Sequence, residues 1–437
     1  EYSDIELTSH AGQECDIVIS GQLKVQVGEH TETLSAGDSI YYDSGTPHGM
    51  AAVGGQDCMF YAIVLNPYGE PVPEPADLKS QEKEGLIRLE QAPDQEKGIW
   101  QDFIITDENE KGGLRAITFK NENYFNFAFD VVDELARTKP DKLALVHVDR
   151  YKEARRFTFE DISRGSNRVA NYFKSLGIKK GDRVMTALRR NHQFWFIIMG
   201  LHKLGAIIIP ATDQLLQKDF EYRFQAAGVS AIICTSDSES WREAELAMEN
   251  YSGIQARIMV NGAEPGWHDF DEEYLMFRSS FERTEESACG KDLMLMFFTS
   301  GTTGYPKIAA HNYKYPLGHF ITAHYWQCVD PNGLHLTISD TGWAKAMWGK
   351  LYGQWLSEAA VFVYDFDRFE AHDILPMFAQ YGITTFCAPP TMYRFLIKED
   401  LSKYDLSSIK HATTAGEALN PEVFHQFKKA TGLSAME

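Results

Sequence analysis

The chain has 437 residues, of which 44% are hydrophobic and 24% are charged, a composition typical of a globular protein with roughly two to four domains. Its formal net charge of −20 argues against nucleic acid as a general partner, because phosphate backbones are neutralised by lysine and arginine. The six cysteines lie far apart without a CxxC pair, which predicts reduced thiols in a cytoplasmic protein rather than a disulfide framework or a zinc cluster. The most apolar stretch, residues 194–210, contains His202 and Lys203 and therefore predicts a buried helix and strand rather than a membrane span.

Residues 1–68 are predicted to form a small all-β domain. Apolar runs occur at residues 17–19, 39–42 and 59–65, and hydrophobic and polar residues alternate over residues 23–27. Short strands at this spacing, separated by glycines, predict a small sandwich or barrel.

Residues 69–120 are predicted to form an extended linker. Pro71, Pro73 and Pro75 lack amide donors and cannot sustain a helix. A charged run over residues 79–97 follows, as is common in extended interdomain segments.

Residues 121–437 are predicted to form a large α/β domain with mainly parallel sheets, because helical and strand patterns alternate along them. An amphipathic helix is expected over residues 125–138, before Pro140. Parallel sheets carry their ligand-binding loops at the carboxyl ends of strands, so the loop after Phe298 is the first candidate for a site. The apolar runs that predict buried parallel strands are residues 206–210, 231–234, 293–298, 360–364 and 383–388.

The loop that follows the apolar run at residues 293–298 reads TSGTTGYPK and spans residues 299–307. Its glycines let backbone amides approach a polyphosphate, its hydroxyls add donors, and Lys307 adds a mobile positive charge. Tyr305 and Pro306 stand where a Walker A loop needs Gly-Lys-Ser/Thr, which disfavours kinase-type transfer of the γ-phosphate. The alternative is a glycine- and threonine-rich surface turn. The residues expected to bind phosphate are Thr299, Ser300, Gly301, Thr302, Thr303, Gly304 and Lys307, of which Lys307 and Thr302 are the expected catalytic residues.

This loop resembles the signature of the adenylate-forming (AMP-binding) superfamily, and further segments support the resemblance in chain order. Residues 176–184 (LGIKKGDRV) and 204–210 (LGAIIIP) resemble the early core of the family. Residues 339–343 (SDTGW) and 386–392 (FCAPPTM) resemble the acetyl- and medium-chain acyl-CoA synthetases in particular. The resemblance implies the large N-terminal α/β domain of an acyl-CoA synthetase.

The resemblance also implies where nucleotide and acid bind. Residues 415–421 (AGEALNP) resemble the segment that holds adenine and ribose, so Gly416, Glu417 and Ala418 are expected to line the adenine site. Asn420 and Pro421 suit the start of a helix there. Trp343 and Ala388 are candidates for the acyl pocket, although a packed core position is the commoner role of a single tryptophan.

By resemblance, the reaction joins a short- or medium-chain carboxylic acid to AMP and then to coenzyme A, with ATP and Mg²⁺ as the other participants. Catalysis should be electrostatic, through Mg²⁺, Lys307 and the donors of the loop. In the family a Thr-Glu block, an Asp for the ribose and a small C-terminal domain with a catalytic lysine follow, whereas this sequence ends at Glu437. The sequence therefore predicts a fragment that turns over poorly by itself.

The first domain resembles the cupin family. The segment from His10 to Glu14 and the segment from Gly37 to His48 match its two motifs. However, Thr8 occupies the position at which the first motif of the family has its first histidine. By resemblance, His10, Glu14 and His48 are the expected metal ligands, and such a set could hold Zn²⁺, Fe²⁺ or Mn²⁺. An empty small-molecule barrel with hydrogen-bonded histidines is an equally weighted alternative.

Three functions stay open on the sequence. The first is an acyl-CoA synthetase with a cupin sensor. The second is a ligand-sensing regulator in which both domains only bind acids or acyl-adenylates, and the third is a ligase that passes the adenylate to a carrier protein. The SDTGW segment favours the first over the third.

Overall fold

The computed structural model describes residues 5, 7–10, 12–55, 57–65, 97–299 and 304–437. The chain divides into two compact units, Glu1–Arg88 and Leu89–Glu437. Within the described ranges, no helix is both long enough and apolar enough to cross a membrane.

The first unit is an antiparallel β-structure, as the sequence predicts. Its strands form two three-stranded sheets, with orders β4-β1-β6 and β3-β2-β5. In β2, Leu23 and Val25 are buried whereas Gln22 is exposed, the alternation of a strand with one face in a core. The strands are β1 (Gln13–Ser20), β2 (Gln22–Val27), β3 (His30–Ser35), β4 (Ser39–Asp43), β5 (His48–Val53) and β6 (Met59–Leu65).

The predicted linker is too long at its carboxyl end, because residues 97–120 belong to the second unit. They form a 3₁₀ turn (Ile99–Asp102) and a hairpin of β7 (Ile104–Glu108) and β8 (Leu114–Phe119). Ile99 and Ile104 are buried in the main core of this unit, and the backbone N–H of Ile99 donates to Glu358 Oε1 at 2.8 Å. The apolar residues around Ile99 and Ile104 form two short groups that show neither helical nor strand periodicity. The proline-rich part of the predicted linker lies outside the described residues.

The second unit contains two seven-stranded, mostly parallel sheets. The first has the order β10-β9-β19-β18-β20-β21-β22 and the second β15-β14-β13-β11-β12-β16-β17, with β10 and β17 as antiparallel edge strands. The strands are β9 (Leu143–Val148), β10 (Ala154–Thr158), β11 (Arg183–Ala187), β12 (Ile207–Ala211), β13 (Ala231–Thr235), β14 (Ala256–Val260), β15 (His268–Asp269), β16 (Leu293–Thr299), β17 (Lys307–Asn312), β18 (Leu334–Thr337), β19 (Ala360–Tyr364), β20 (Thr385–Ala388), β21 (His411–Thr414) and β22 (Ala435–Met436).

Helices cover both faces of each sheet, so that strands such as β12, β13 and β19 are buried throughout. Helices α2 and α3 share one core with both sheets, α10 to α12 cover the outer face of the first sheet, and α4 and α5 cover that of the second. The helices are α1 (Glu134–Thr138), α2 (Phe159–Ser175), α3 (Gln193–Leu204), α4 (Gln217–Ala227), α5 (Ser240–Met248), α6 (Phe270–Glu273), α7 (Tyr315–Ile321), α8 (Ala344–Gly349), α9 (Tyr352–Leu356), α10 (Ala371–Tyr381), α11 (Pro390–Leu396) and α12 (Pro421–Thr431).

The predicted α/β architecture is confirmed, and each of the five predicted parallel strands has a counterpart. The helix expected over residues 125–138 is a π-helical turn, Ala128–Asp133, that continues into α1. The apolar stretch at residues 194–210 forms most of α3 together with most of β12.

Candidate active site and candidate metal centre

Charged residues join the carboxyl ends of the two large sheets. Arg189 and Arg190 follow β11 of the second sheet, whereas Asp340 and Asp365 follow β18 and β19 of the first. Arg189 Nη2 lies 3.2 Å from Asp365 Oδ1, and Arg190 contacts Asp340. The guanidinium carbon of Arg190 also lies 3.9 Å from the centroid of the Phe366 ring. This cluster therefore brings the loops of both sheets together at the edge where α/β proteins bind ligands.

The loop at residues 339–343 is held tightly against the second sheet. A Cβ atom on Gly342 would lie 2.3 Å from the carbonyl carbon of Ala211 and 2.4 Å from the backbone nitrogen of Thr212. Thr341 Oγ1 donates to the carbonyl of Leu188 at 2.9 Å. Only glycine allows this approach of two backbones, which explains the glycine in the SDTGW segment.

The two candidates for the acyl pocket lie at this edge. Trp343 lies on a loop and Ala388 at the end of a strand. Trp343 precedes α8 and is 60% exposed, so it is not a packed core residue. Ala388 ends β20, is buried, and pairs with Thr414 of β21. Both positions are compatible with the walls of a slot that opens at the carboxyl ends of the strands.

The segment expected to bind adenine follows β21 directly. Gly416 has a φ of 114°, a value that favours glycine, and Gly416, Glu417 and Ala418 are exposed. The next helix begins as the sequence predicts, because Asn420 Oδ1 accepts a hydrogen bond from the Glu422 backbone at 2.8 Å.

The two ends of the predicted phosphate loop are fixed by a hairpin. Thr299 ends β16, Lys307 begins β17, and the two residues pair. Both are exposed, as is Gly304, which has a φ of 92°. Ser300, Gly301, Thr302 and Thr303 lie outside the described residues.

The carboxyl side of this loop is anchored on α4. Tyr305 stacks on Tyr222 with a centroid distance of 4.7 Å, and the Tyr222 hydroxyl donates to the carbonyl of Pro306 at 2.7 Å. Tyr305 and Pro306, the residues that exclude a Walker A loop, therefore attach the predicted phosphate loop to α4.

Two lysines of this region have lowered pKa values. Lys350 is fully buried and donates to the carbonyl of Ser339 at 2.6 Å. Burial, together with the nearby Arg190, lowers the pKa of Lys350 to about 7. Burial also lowers the pKa of the half-buried Lys345, which donates to the carbonyl of Ala415 at 2.9 Å. Sequence reasoning overlooked both, because a lysine in a helix usually lies on a solvated face.

In the first unit the three predicted metal ligands converge. Glu14 Oε2 lies 3.1 Å from His10 Nε2 and 3.4 Å from His48 Nε2, and the three ligand atoms lie within 4.8 Å of one another. Glu14 and His48 are buried. His48 Nδ1 donates to the carbonyl of Thr46 at 2.9 Å, so that its other ring nitrogen, Nε2, faces Glu14.

Two neighbours complete this cluster. Thr8 forms a backbone bridge with His48, with both N–H to carbonyl distances at 2.8 Å. Asp16, which the sequence reasoning missed, is fully buried and its Oδ2 accepts from the Tyr42 hydroxyl at 2.8 Å. Its other oxygen has no hydrogen-bond partner among the residues that the structure describes, and burial raises the pKa of Asp16 to about 6. The alternation along β1 that turns Glu14, Asp16 and Val18 to the same, buried face is the signal that could have indicated Asp16.

Fold and site together define a mostly parallel α/β protein with a ligand-binding edge between two sheets, preceded by a small β-unit with a histidine–carboxylate cluster. The family model described as "AMP-binding enzyme" matches residues 132–436, and the chain belongs to this family. The model described as "Cupin domain" matches residues 3–64. Both resemblances stated from the sequence are thereby confirmed.

Curated relatives are named acyl-coenzyme A synthetases. The chain is 34% identical over 322 residues to the human mitochondrial acyl-coenzyme A synthetase ACSM3, covering 72% of this chain and 54% of the relative. It is 35% identical over 322 residues to human mitochondrial ACSM5, with 72% and 55% covered. The chain thus spans about half the length of the curated relatives it matches.

Solved structures share the fold of the second unit. An acyl-CoA synthetase of Brucella canis superposes with a TM-score of 0.64 at 23% identity, covering 72% of this chain and 57% of that one. The anthranilate CoA ligase AuaEII, solved with anthranoyl-AMP, gives a TM-score of 0.65 at 24% identity, with 72% and 59% covered.

Proposed function

We propose that the protein activates a carboxylic acid with ATP and transfers the acyl group to coenzyme A. In the first half-reaction a carboxylate oxygen attacks the α-phosphorus, the bond to the bridging oxygen breaks, and pyrophosphate leaves. In the second, the thiol sulfur attacks the acyl carbonyl, the thiol proton is lost and AMP leaves. The membership in the AMP-binding enzyme family carries this proposal, and the names of the curated relatives support coenzyme A as the acceptor.

We assign the parts of the site to this reaction as follows. The loop of residues 299–307 would hold the phosphates, with Thr302 and Lys307 at the leaving pyrophosphate. Mg²⁺, when bound, would neutralise charge on the transferring phosphates. Gly416, Glu417 and Ala418 would hold the adenine, and Trp343 and Ala388 would border the acyl slot. The exposure of Lys307 and of residues 416–418 supports these roles, since a ligand can reach them.

The acid is proposed to be short or medium in chain length, as in fatty acid metabolism, because the SDTGW segment resembles synthetases for such acids. A cytoplasmic location is proposed from the six cysteines, which are all free. The curated relatives compared above are named as mitochondrial.

Product analysis tests this function. The full-length protein is purified and incubated with ATP, Mg²⁺, coenzyme A and single acids from acetate to dodecanoate and benzoate, and products are identified by mass spectrometry. At least one acid should give its acyl-CoA together with AMP. Lys307→Met should strongly slow the formation of acyl-CoA and AMP. Lys398→Met is the control, because Lys398 is exposed and lies just after α11, and it should leave the rate unchanged. Formation of ADP, or of an acyl-adenylate that is never converted to acyl-CoA, would contradict the proposal.

We propose further that the first unit binds one divalent cation at His10, Glu14 and His48. Two imidazoles and a carboxylate suit Zn²⁺, Fe²⁺ or Mn²⁺. The buried, unpartnered Oδ1 of Asp16 beside this cluster supports the fit, because a nearby cation would compensate a buried carboxylate. Such a cation would act there either as a Lewis acid or as a structural metal ion that stabilises the fold.

Metal analysis of the purified chain tests this site. One equivalent of a divalent metal should survive gel filtration, and His10→Ala should abolish stoichiometric binding. His30→Ala is the matched control, since His30 lies on the exposed strand β3. Equal metal content in the wild type and His10→Ala would contradict the site, and an absence of metal in both after reconstitution would favour the metal-free barrel.

A further inference from the structure

The outer face of the sheet β4-β1-β6 in the first unit carries apolar side chains. Every second residue of β1 from Glu14 to Val18 is buried, so the residues between them lie on the opposite side of the strand. Residues that pair directly across antiparallel strands share a face, and this extends the outer side to β4 and β6 through the pairs Cys15–Tyr41, Cys15–Ile63 and Ile17–Tyr61. We define the apolar face as Cys15, Ile17, Ile19, Tyr41, Met59, Tyr61 and Ile63.

Most of the apolar face is open to solvent. Tyr41, Met59 and Tyr61 are 60–66% exposed, and Ile19 and Ile63 are 44–49% exposed. Together they present roughly 500–600 Å² of mainly apolar surface, as much as the largest apolar patch of a typical monomer, and patches of that size often mark an interaction site. The core of the first unit is built by other residues, so these side chains do not serve its packing.

No member of the apolar face is charged, and polar side chains border it. Asp43 and Gln13 pair at one end of the sheet, and both are exposed. Ser39 pairs with Ile17 and lies beside it on the same side of the sheet. The hydroxyl of Tyr41 donates to Gln13, so the tyrosine ring can be covered without leaving its hydroxyl unpaired. An uncharged apolar centre with a polar border is the composition of a protein–protein interface.

We propose that the apolar face binds the apolar face of a second copy of this chain. An uncharged surface is complementary to itself, and most oligomers of soluble proteins are symmetric assemblies of one chain. Each chain has a formal net charge of −20, so two copies approach at the least electrostatic cost where neither presents a charge. Two such faces would bury roughly 1,000–1,200 Å², which reaches the size at which specific interfaces begin.

The order of side chains across the sheet suits a two-fold axis that runs along β1. Tyr61 and Ser39 flank Ile17 on its two sides, one large and one small. Rotation about this axis stacks β4 of one copy on β6 of the other, so the tyrosine of each copy lies over the serine of the other. Two sheets that pack face to face in this way keep their strands within about 30° of each other. Each copy then makes the same contacts, as a two-fold interface requires.

Sedimentation of the full chain over concentrations from about 0.1 to about 100 μM tests this surface. The wild type should form a dimer within this range. Tyr61→Lys places a charge in the apolar face and should raise the dissociation constant at least about 30-fold, because an interfacial aromatic ring is lost and a charge is buried. Tyr61→Phe keeps the ring and should associate as the wild type does. Thr33→Lys is the matched control, since it adds the same charge on the exposed strand β3 of the other sheet.

A second variant and a folding check separate loss of association from loss of structure. Ile63→Lys, also on β6, should weaken association as Tyr61→Lys does. Because Tyr61 and Ile63 are exposed in the single chain, both lysine variants should keep the circular dichroism spectrum of the wild type. A wild type that stays monomeric at every concentration overturns the proposal, and so does a dimer that both lysine variants leave intact. Equal weakening by Thr33→Lys would overturn it as well, because added charge anywhere on the unit would then explain the effect.

Discussion

Lys350 offers a quantitative test of how burial shifts the pKa of a lysine beneath the candidate active site. Its pKa is lowered from 10.5 to about 7 by burial, with further lowering by Arg190 and Lys345 and opposing contributions from Asp365 and Cys387. Between these two pH values the unfolded chain binds a proton that the folded chain does not. Stability therefore rises with pH across this window. The penalty on the folded state is roughly 5 kcal/mol at pH 6 and roughly 2 kcal/mol at pH 9.

Lys350→Met removes this penalty, so its stability relative to the wild type should decrease by roughly 3 kcal/mol from pH 6 to pH 9. The part of the hydrogen bond to Ser339 that depends on the charge of Lys350 is already contained in its pKa, and the remaining part affects both pH values equally and cancels. Thermal unfolding of both proteins at pH 6 and pH 9 measures the effect, which corresponds to a change of roughly 4 °C in the difference of Tm for a unit of this size. Lys398→Met should give the same difference at both pH values. A pH-independent difference for Lys350→Met would refute the claim that burial lowers the pKa of this lysine.

Three further substitutions test the architecture of the site. Gly342→Ala places a methyl group 2.3 Å from the carbonyl carbon of Ala211 and should abolish detectable binding of a non-hydrolysable acyl-adenylate analogue. Gly318→Ala is the control, because no atom outside the backbone of its own helix lies within 4 Å of the added carbon, and it should leave the binding of the analogue unchanged. Tyr222→Phe removes the hydrogen bond to Pro306 and should weaken ATP binding about fivefold, as expected for about 1 kcal/mol; unchanged affinity would show that this anchor does not order the loop. Asn420→Ala removes a helix cap and should cost about 1 kcal/mol of stability, measured as a decrease in Tm.

The elements that could be predicted from the sequence are those whose signals are local. The runs at residues 231–234 and 360–364 are apolar at every position, because the strands they form are buried on both faces. Asn420 caps its helix through its own backbone neighbours. The approximate place of the candidate site could also be predicted from the sequence, since a loop after a buried strand lies at a known edge of a parallel sheet.

Contacts between distant parts of the chain could not be predicted in the same way. Arg190 and Asp340 are 150 residues apart in the sequence, and nothing local to either indicates the other. Lys345 and Lys350 read as solvated helix residues until the packing of α8 is known. The polar sequence of β3 (HTETLS) gave no apolar alternation because most of its side chains are exposed.

The transfer of ¹⁸O from the acid to AMP tests the central claim most directly. An acid that supports acyl-CoA formation is labelled in both carboxylate oxygens and incubated with the protein, ATP, Mg²⁺ and coenzyme A, and the products are analysed by mass spectrometry. Attack of the carboxylate on the α-phosphorus predicts one ¹⁸O atom in each AMP and none in pyrophosphate. Label in inorganic phosphate or pyrophosphate, or AMP without label, would contradict acid activation through an acyl-adenylate.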